Sequence, residues 1–161
     1  MSGSAGSSQA EHSREYRIGD RDNRPWGSYE VVATAQHGEE EQVEKIITIL
    51  PRKVLSLQSH RGRSERWTAV KGTFAAVLDT KIVIVLEGDS VDVPAGTLHA
   101  LASPGPSQIQ VHEVQTGICR ESDIERYADH SGRHVDGEED PKIARGLLAY
   151  QTLVNLVTSM P

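Results

Sequence analysis

The sequence has few of the features that would indicate a disulfide-bonded, membrane-spanning or nucleic-acid-binding protein. Its single cysteine, Cys119, excludes an intrachain disulfide. No apolar run approaches the length of a membrane span, and the N-terminus has no hydrophobic signal region. The formal net charge of -6 opposes binding to a phosphate backbone. We therefore expect a cytoplasmic protein whose ligand is a small molecule, not a nucleic acid or a membrane.

Aromatic residues are also scarce, at 4% of the chain, so a core must consist mostly of Val, Ile and Leu. With 161 residues the chain is long enough for one domain with a proper core. Short segments rich in β-branched residues, such as 43–50, 81–86 and 108–115, follow each other with no helical pattern between them. This pattern predicts an all-β barrel or sandwich.

The C-terminal segment differs from the rest of the chain. Asp140 and Pro141 resemble a helix N-cap followed by proline at the first helical position. The apolar residues beyond them fall on one helical face, which would either cover the barrel or pair with a second subunit. We expect a loosely attached or disordered tail over 1–22, a barrel over 23–135 and a helical extension over 136–161. The predicted apolar stripe consists of Ile143, Leu147, Tyr150, Val154 and Val157.

Residues 54–72 form the first candidate site, which reads as a strand, a polar turn and a returning strand. Gln58 and His60 fall on one face of the first strand, because side chains in a strand alternate with period 2. Glu65 opens the returning strand, so an amide oxygen, an imidazole and a carboxylate converge across a hairpin. Three such ligands on rigid strands suit a catalytic metal, which keeps a position open for substrate.

Residues 88–99 form a second candidate stretch. Gly88, Pro94, Gly96 and His99 fit the spacing G-x5-P-x-G-x2-H. The two stretches together resemble the paired motifs of the cupin superfamily, which implies a jelly-roll-like double-stranded β-helix barrel. The resemblance also implies a divalent metal ion held by four ligands, namely Gln58, His60, Glu65 and His99.

The resemblance extends to one family within that superfamily. Further motifs, in one order between residues 24 and 133, resemble the type II mannose-6-phosphate isomerase family. In many relatives this module follows a nucleotidyltransferase domain that makes GDP-mannose. Only about twenty residues precede the module here, so we expect that second activity to be absent. The motifs are R-P-W-G-x-Y at 24–29, S-L-Q-x-H at 56–60, R-x-E-x-W at 63–67, E-V-Q-x-G at 113–117, D-I-x-R at 123–126 and D-x-x-G-R at 129–133.

This family resemblance implies a metal-dependent isomerase that interconverts mannose 6-phosphate and fructose 6-phosphate through an enediolate. We expect zinc, with manganese, cobalt, nickel or iron as alternatives. A base must reach the carbon-bound proton, and a cation should hold the phosphate. On the strand over 108–115 Glu113 and Gln115 share a face and His112 points the other way; we favour the Glu113 face. The candidate catalytic residues are Arg133, Arg63 and Glu113, and the candidate substrate contacts are Lys45, Arg66 and Gln115.

Three departures from the family pattern leave alternatives open. Arg66 stands where relatives usually have histidine, Ala100 where they commonly have arginine, and Ser103 where the motif has asparagine. Ala100 would remove a cation near the substrate, which Arg66 would restore only if its side chain faces the cavity. The alternatives are therefore a non-catalytic or regulatory metal- or sugar-binding cupin, or another metal-dependent cupin enzyme such as a dioxygenase. We further expect a homodimer, since barrels of this kind commonly pair.

Overall fold

The computed structural model describes residues 15–129 and 140–159, which form eleven strands, a short 3₁₀ turn at Glu121–Asp123 and one helix. No helix in these two ranges is long and apolar enough to cross a lipid bilayer. The elements are β1 (Arg21–Arg24), β2 (Gly27–His37), β3 (Glu40–Ile49), β4 (Leu57–Ser59), β5 (Arg63–Lys71), β6 (Phe74–Leu78), β7 (Lys81–Val85), β8 (Ser90–Val93), β9 (His99–Ala102), β10 (Ile109–Gly117), β11 (Glu125–Ala128) and α1 (Pro141–Ser159).

The strands form two antiparallel sheets. The first sheet has the order β1-β2-β3-β10-β5-β8, and the second has the order β11-β4-β9-β6-β7. Many neighbours within each sheet are distant in sequence, as when β10 lies between β3 and β5. This is the topology of a jelly-roll or double-stranded β-helix, so the predicted all-β barrel with a C-terminal helix is confirmed.

The main core contains residues from both sheets, because the inward-facing side chains of the two sheets meet there. Trp67 and Phe74 are its largest members and contact each other edge to face. The inner face of β10 changes character along the strand, from Ile109 and Val111 in the core to the buried Glu113 further on. One part of the barrel interior is therefore apolar, and a neighbouring part carries buried polar groups.

A second apolar cluster lies between the second sheet and α1. Tyr150, Leu153 and Val157 of the helix pack there against Ala75, Val77 and other residues of the sheet. The Tyr150 hydroxyl also donates a hydrogen bond of 2.8 Å to the backbone carbonyl of Leu55. The predicted helical stripe thus covers the barrel of its own chain. Of the two alternatives, covering the barrel or pairing with a second subunit, the structure shows the first.

The expected loosely attached tail over 1–22 is wrong for residues 15–22, while residues 1–14 lie outside the described part. Tyr16 is buried among Val31, Val43 and Cys119. The segment is also fixed through its backbone, since β1 pairs with β2 and the Gly19 amide donates to the carbonyl of Val31 at 2.8 Å. A buried aromatic ring and paired backbone groups stabilise this segment despite the polar composition around it.

Candidate metal centre

Three buried side chains from three separate segments meet in one cluster. His60 follows β4, Glu65 lies on β5 and His99 opens β9, so ligands from the second sheet face a carboxylate from the first. One potential ligand atom from each residue lies within 4.8 Å of the other two. The convergence across a hairpin and a second motif, predicted from spacing alone, is therefore present in the fold.

The nitrogen atoms of this cluster fit a metal ion. His60 Nε2 lies 3.0 Å from Glu65 Oε1, and His99 Nε2 lies 3.9 Å from Glu65 Oε2. Both Nε2 atoms are buried, and neither has a well-directed hydrogen bond. His99 Nδ1 lies 2.8 Å from the carbonyl of Thr97, which can only accept, so Nδ1 carries the proton and Nε2 keeps its lone pair. Two imidazole nitrogens and a carboxylate are a donor set typical of zinc and related divalent ions.

The protonation states also suit a metal. Burial alone would raise the pKa of Glu65, but the adjacent imidazoles of His60 and His99 and the guanidinium of Arg63 together hold that pKa well below its usual range. Burial lowers the pKa of His99, which favours the neutral imidazole that ligates metals. The fourth predicted ligand, Gln58, lies opposite His99 in the β4–β9 pair, and its ligation stays a prediction.

Glu65 and His99 of the cluster line a cavity of about 350 Å³, together with other buried polar residues. Trp67 Nε1 donates to Glu65 Oε2 at 3.0 Å and to Glu113 Oε2 at 3.1 Å. Gln115 Nε2 donates to Glu113 Oε1 at 2.7 Å, so both oxygens of Glu113 are held. Burial, together with the charge of Glu65, raises the pKa of Glu113 to about 7.

The predicted facing of β10 is confirmed. Glu113 and Gln115 are buried and line the cavity, whereas His112 binds Glu44 on the other face of the sheet at 3.0 Å. Strict alternation along the strand is sufficient to explain this arrangement. The catalytic role assigned to Glu113 and the substrate contact assigned to Gln115 stay predictions.

Two buried cations line the same cavity. Lys45 Nζ lies 3.9 Å from the ring centroid of Tyr16 and 4.4 Å from that of Tyr29, and burial lowers its pKa. Arg63 Nε lies 3.4 Å from Glu65 Oε1. Burial opposes the charge of Arg63, yet Glu65 and Glu113 hold its pKa above the ordinary value. The structure thus brings both predicted cations to the cavity.

The predicted substrate contact of Arg66 is wrong. Its side chain is exposed and pairs with Asp92, with Nη1 3.0 Å from Oδ1. Alternation along β5 places Glu65 and Trp67 inward, so Arg66 between them must point outward. Arg133, the third predicted catalytic residue, lies outside the described residues.

The departure at Ala100 does not remove a charge from the metal side of β9. Ala100 and Ala102 pack in the cluster beneath α1, whereas His99 points to the metal centre. A longer side chain at this position would extend toward the helix, because neighbouring residues in a strand point to opposite faces. The metal side of β9 therefore keeps its predicted ligand.

Sequence reasoning missed the part that Trp67 plays in the site. Its indole packs in the core and also donates to both buried carboxylates. Its position two residues from Glu65 was the available signal, because it places the two side chains on one face. Three further cations line the cavity without having been predicted there, namely Arg24, Lys53 and Arg126.

Comparison with known families matches residues 11–129 to the family described as "Mannose-6-phosphate isomerase C-terminal". The chain belongs to this family. The match agrees with the motifs at Gln58, Glu65 and Glu113 and with the cupin-type barrel.

Curated relatives are longer proteins. The chain is similar to "Alginate biosynthesis protein AlgA" of Pseudomonas aeruginosa, at 42% identity over 114 residues, which is 70% of this chain and 23% of that protein. It is similar to "Mannose-1-phosphate guanylyltransferase" of Escherichia coli, at 35% identity over 126 residues, 78% of this chain and 26% of that protein. The chain therefore spans about a quarter of the length of these relatives.

Solved structures show the same fold at low sequence identity. An RmlC-like cupin from Shewanella frigidimarina matches with a TM-score of 0.53 and 18% identity, over 68% of this chain and 96% of that one. KdgF from Halomonas sp. matches with a TM-score of 0.52 and 17% identity, over 64% of this chain and 89% of that one. Both likenesses concern the barrel, which confirms the cupin fold.

Proposed function

We propose that this chain is a metal-dependent isomerase that interconverts mannose 6-phosphate and fructose 6-phosphate. The observation that carries the proposal is one cavity that holds a metal-type donor set together with a buried carboxylate and two buried cations. An aldose–ketose isomerisation needs these three kinds of group, to polarise the carbonyl, to move a proton and to stabilise negative charge. The family match supports mannose 6-phosphate as the substrate.

His60, Glu65 and His99 would hold the ion, with Gln58 as a further candidate. When bound, a divalent ion supplies Lewis-acid stabilisation of the negative charge that develops on the substrate oxygens. Zinc is expected first, and a nitrogen and oxygen donor set also accepts manganese, cobalt, nickel or iron.

Glu113 is the residue that moves the proton between adjacent carbons. Its carboxylate would take the proton from carbon 2 of the aldose and return it to carbon 1, while the hydroxyl proton of oxygen 2 passes to oxygen 1. Trp67 and Gln115 hold the two carboxylate oxygens from the sides, which fixes the orientation of the group. A base held in place in this way loses little entropy when the substrate binds.

Arg63 and Lys45 stabilise the enediolate oxygens at the reacting end of the substrate. Both are almost completely buried, where a charge acts through a lower dielectric than in water. Arg63 lies against Glu65 of the metal cluster, and Lys45 is the direct cross-strand neighbour of Glu113. Arg63 thus lies beside the metal cluster, and Lys45 lies beside the proposed base.

The alternative of a sugar-binding cupin without turnover depended on two departures from the family pattern. Arg66 and Ala100 raised that alternative because both were expected near the substrate. Arg66 points outward, and Ala100 packs beneath α1. Arg66 does not line the cavity, whereas Ala100 does line it. The metal-type donor set includes neither residue, so the isomerase is the better supported of the two functions.

The test is a coupled assay for fructose 6-phosphate, with mannose 6-phosphate as substrate. Protein stripped of metal with a chelator is compared with protein reloaded with each divalent ion in turn. We expect turnover only after reloading, loss of turnover in Glu65→Gln, and a loss of about 100-fold or more in Glu113→Gln. Glu44→Gln is the matched control, because it changes a carboxylate that binds His112 on the outer face of the sheet.

The outcome that contradicts the proposal is equally specific. Protein that binds one ion stoichiometrically but produces no fructose 6-phosphate with any metal is not this isomerase. Full activity in Glu113→Gln would support the isomerase reaction but reject Glu113 as its base.

A further inference from the structure

The cavity has a second set of cations at its exposed part, in addition to the buried pair. Arg24, Lys53 and Arg126 all line it, and all three are exposed to solvent. The Arg24 charge is engaged, since its guanidinium lies 2.6 Å from Asp22. Within 15–129 and 140–159, neither Lys53 nor Arg126 forms an ion pair. Two positive charges at the cavity are therefore available to a ligand.

The strand register places Arg126 in line with the metal centre. Arg126 lies opposite Gln58 in the β11–β4 pair, and Gln58 lies opposite His99 in the β4–β9 pair. Directly opposite residues in antiparallel strands share a face, so these three side chains form a row across the second sheet. Leu57, the neighbour of Gln58 in β4, packs beneath α1 on the opposite face. An irregularity in the register between Arg126 and Ala128 places Ala128 opposite Leu57.

The distance along the row from Arg126 to His99 can be compared with the length of a sugar phosphate. Adjacent strands lie about 4.8 Å apart, so the Cα of Arg126 is roughly 10 Å from that of His99, and both side chains can extend into the space between. In a hexose 6-phosphate the carbonyl group and the phosphate are likewise at opposite ends of the carbon chain. With the carbonyl end at the metal centre, the phosphate would lie toward Arg126.

The buried cations are poor candidates for the phosphate. Lys45 is enclosed by the rings of Tyr16 and Tyr29, and Arg63 is held against Glu65. A phosphate dianion beside them would lose its water and would occupy the space of the reacting carbons. At the exposed part of the cavity the phosphate keeps part of its hydration.

Acidic residues also line the cavity, but they do not form ion pairs with Lys53 or Arg126. Glu121 and Asp129 also line it, but the Glu121 carboxylate accepts a hydrogen bond from the Tyr16 hydroxyl, and Asp129 is likewise engaged in an interaction of its own. Neither forms an ion pair with Arg126 or Lys53. Lys53 and Arg126 thus remain two cations of the cavity lining without an ion-pair partner among the described residues.

We propose that Arg126, assisted by Lys53, binds the phosphate group of the sugar phosphate. This inference rests on the proposed function for the identity of the sugar, but the phosphate contact can be tested without turnover. The planar guanidinium of Arg126 can donate two parallel hydrogen bonds to phosphate oxygens, whereas Lys53 contributes a point charge. Arg126 is therefore a binding residue that selects phosphorylated over unphosphorylated sugars.

The experiment is calorimetric titration of metal-loaded protein with mannose 6-phosphate and, separately, with mannose. We expect Arg126→Gln to bind mannose 6-phosphate about 10- to 100-fold more weakly, as loss of charge-assisted hydrogen bonds requires, with unchanged affinity for mannose. Arg126→Lys should be intermediate, and Lys53→Ala should lose less than Arg126→Gln. Arg61→Ala is the matched control, because Arg61 is an exposed cation that pairs with Glu125.

The other results overturn either the phosphate contact or the proposed isomerase, and the two cases can be told apart. Unchanged affinity of Arg126→Gln for mannose 6-phosphate rejects the contact, and an equal loss for both sugars shows a structural effect instead. Wild-type protein without any preference for the phosphorylated sugar also rejects it. A preference that depends on Arg126 in a protein without turnover would uphold the phosphate site and reject the isomerase. Melting temperatures and metal contents establish that each variant is folded and loaded with metal. If Arg126→Gln does not fold or bind metal, Arg126→Ala replaces it in the titration.

Discussion

At the scale of single residues, Trp67 combines packing in the core with hydrogen bonds to two buried carboxylates. One indole N–H donates to two buried carboxylates, Glu65 and Glu113. Burial and the charge of Glu65 raise the pKa of Glu113. The same ring also lies edge-on to His99, with centroids 5.4 Å apart. The residue therefore connects the metal cluster to the proposed base by a single hydrogen-bond donor.

Replacement of Trp67 by phenylalanine tests this position. Trp67→Phe keeps an aromatic ring in the core but removes the donor, so two buried carboxylate oxygens each lose a partner. We expect a loss of about 2 to 5 kcal/mol in the free energy of unfolding of metal-free protein, from the cavity and the lost hydrogen bonds together. Urea denaturation measures it, with Trp26→Phe as the control for the change of ring. Equal losses in the two variants would show that the shared donor contributes nothing.

At the scale of elements, alternation was predictable and strand partners were not. The period of 2 in β10 placed Glu113 inward and His112 outward, and the structure agrees. The same rule, applied to β5, would have placed Arg66 outward beside Glu65. The row from Arg126 to His99 needed the pairing of β11 with β4 and of β4 with β9, which local patterns do not contain.

The N-terminal segment and α1 also have features that local sequence patterns do not predict. Tyr16 stands in a polar segment, and only its contacts with distant strands explain its burial. In α1 the predicted stripe omitted Leu153, although it is among the most buried residues of the helix. Helical spacing gives the centre of an apolar face, while its width depends on the surface that the helix covers.

Leu153 provides the test of how firmly α1 covers the barrel. Leu153 is 1% exposed and Leu148 in the same helix is 68% exposed, so truncation of each compares the same chemistry in two environments. We expect Leu153→Ala to reduce the free energy of unfolding by about 2 to 5 kcal/mol and Leu148→Ala by less than about 0.5 kcal/mol. Thermal or urea unfolding gives both values. Similar small losses at the two sites would mean that the helix is not packed as described.

At the scale of the whole molecule, the metal centre connects the two sheets. His60 and His99 come from the second sheet and Glu65 from the first, so an ion bound by all three would be lost when the sheets separate. Binding to the folded state alone stabilises it, by about 2.7 kcal/mol at a free ion concentration 100 times the dissociation constant. We therefore expect zinc to raise the melting temperature of wild-type protein and of His112→Ala, whose histidine faces outward. His99→Ala should lose that increase, measured by differential scanning calorimetry with and without chelator, and an equal increase in all three proteins would place the bound ion elsewhere.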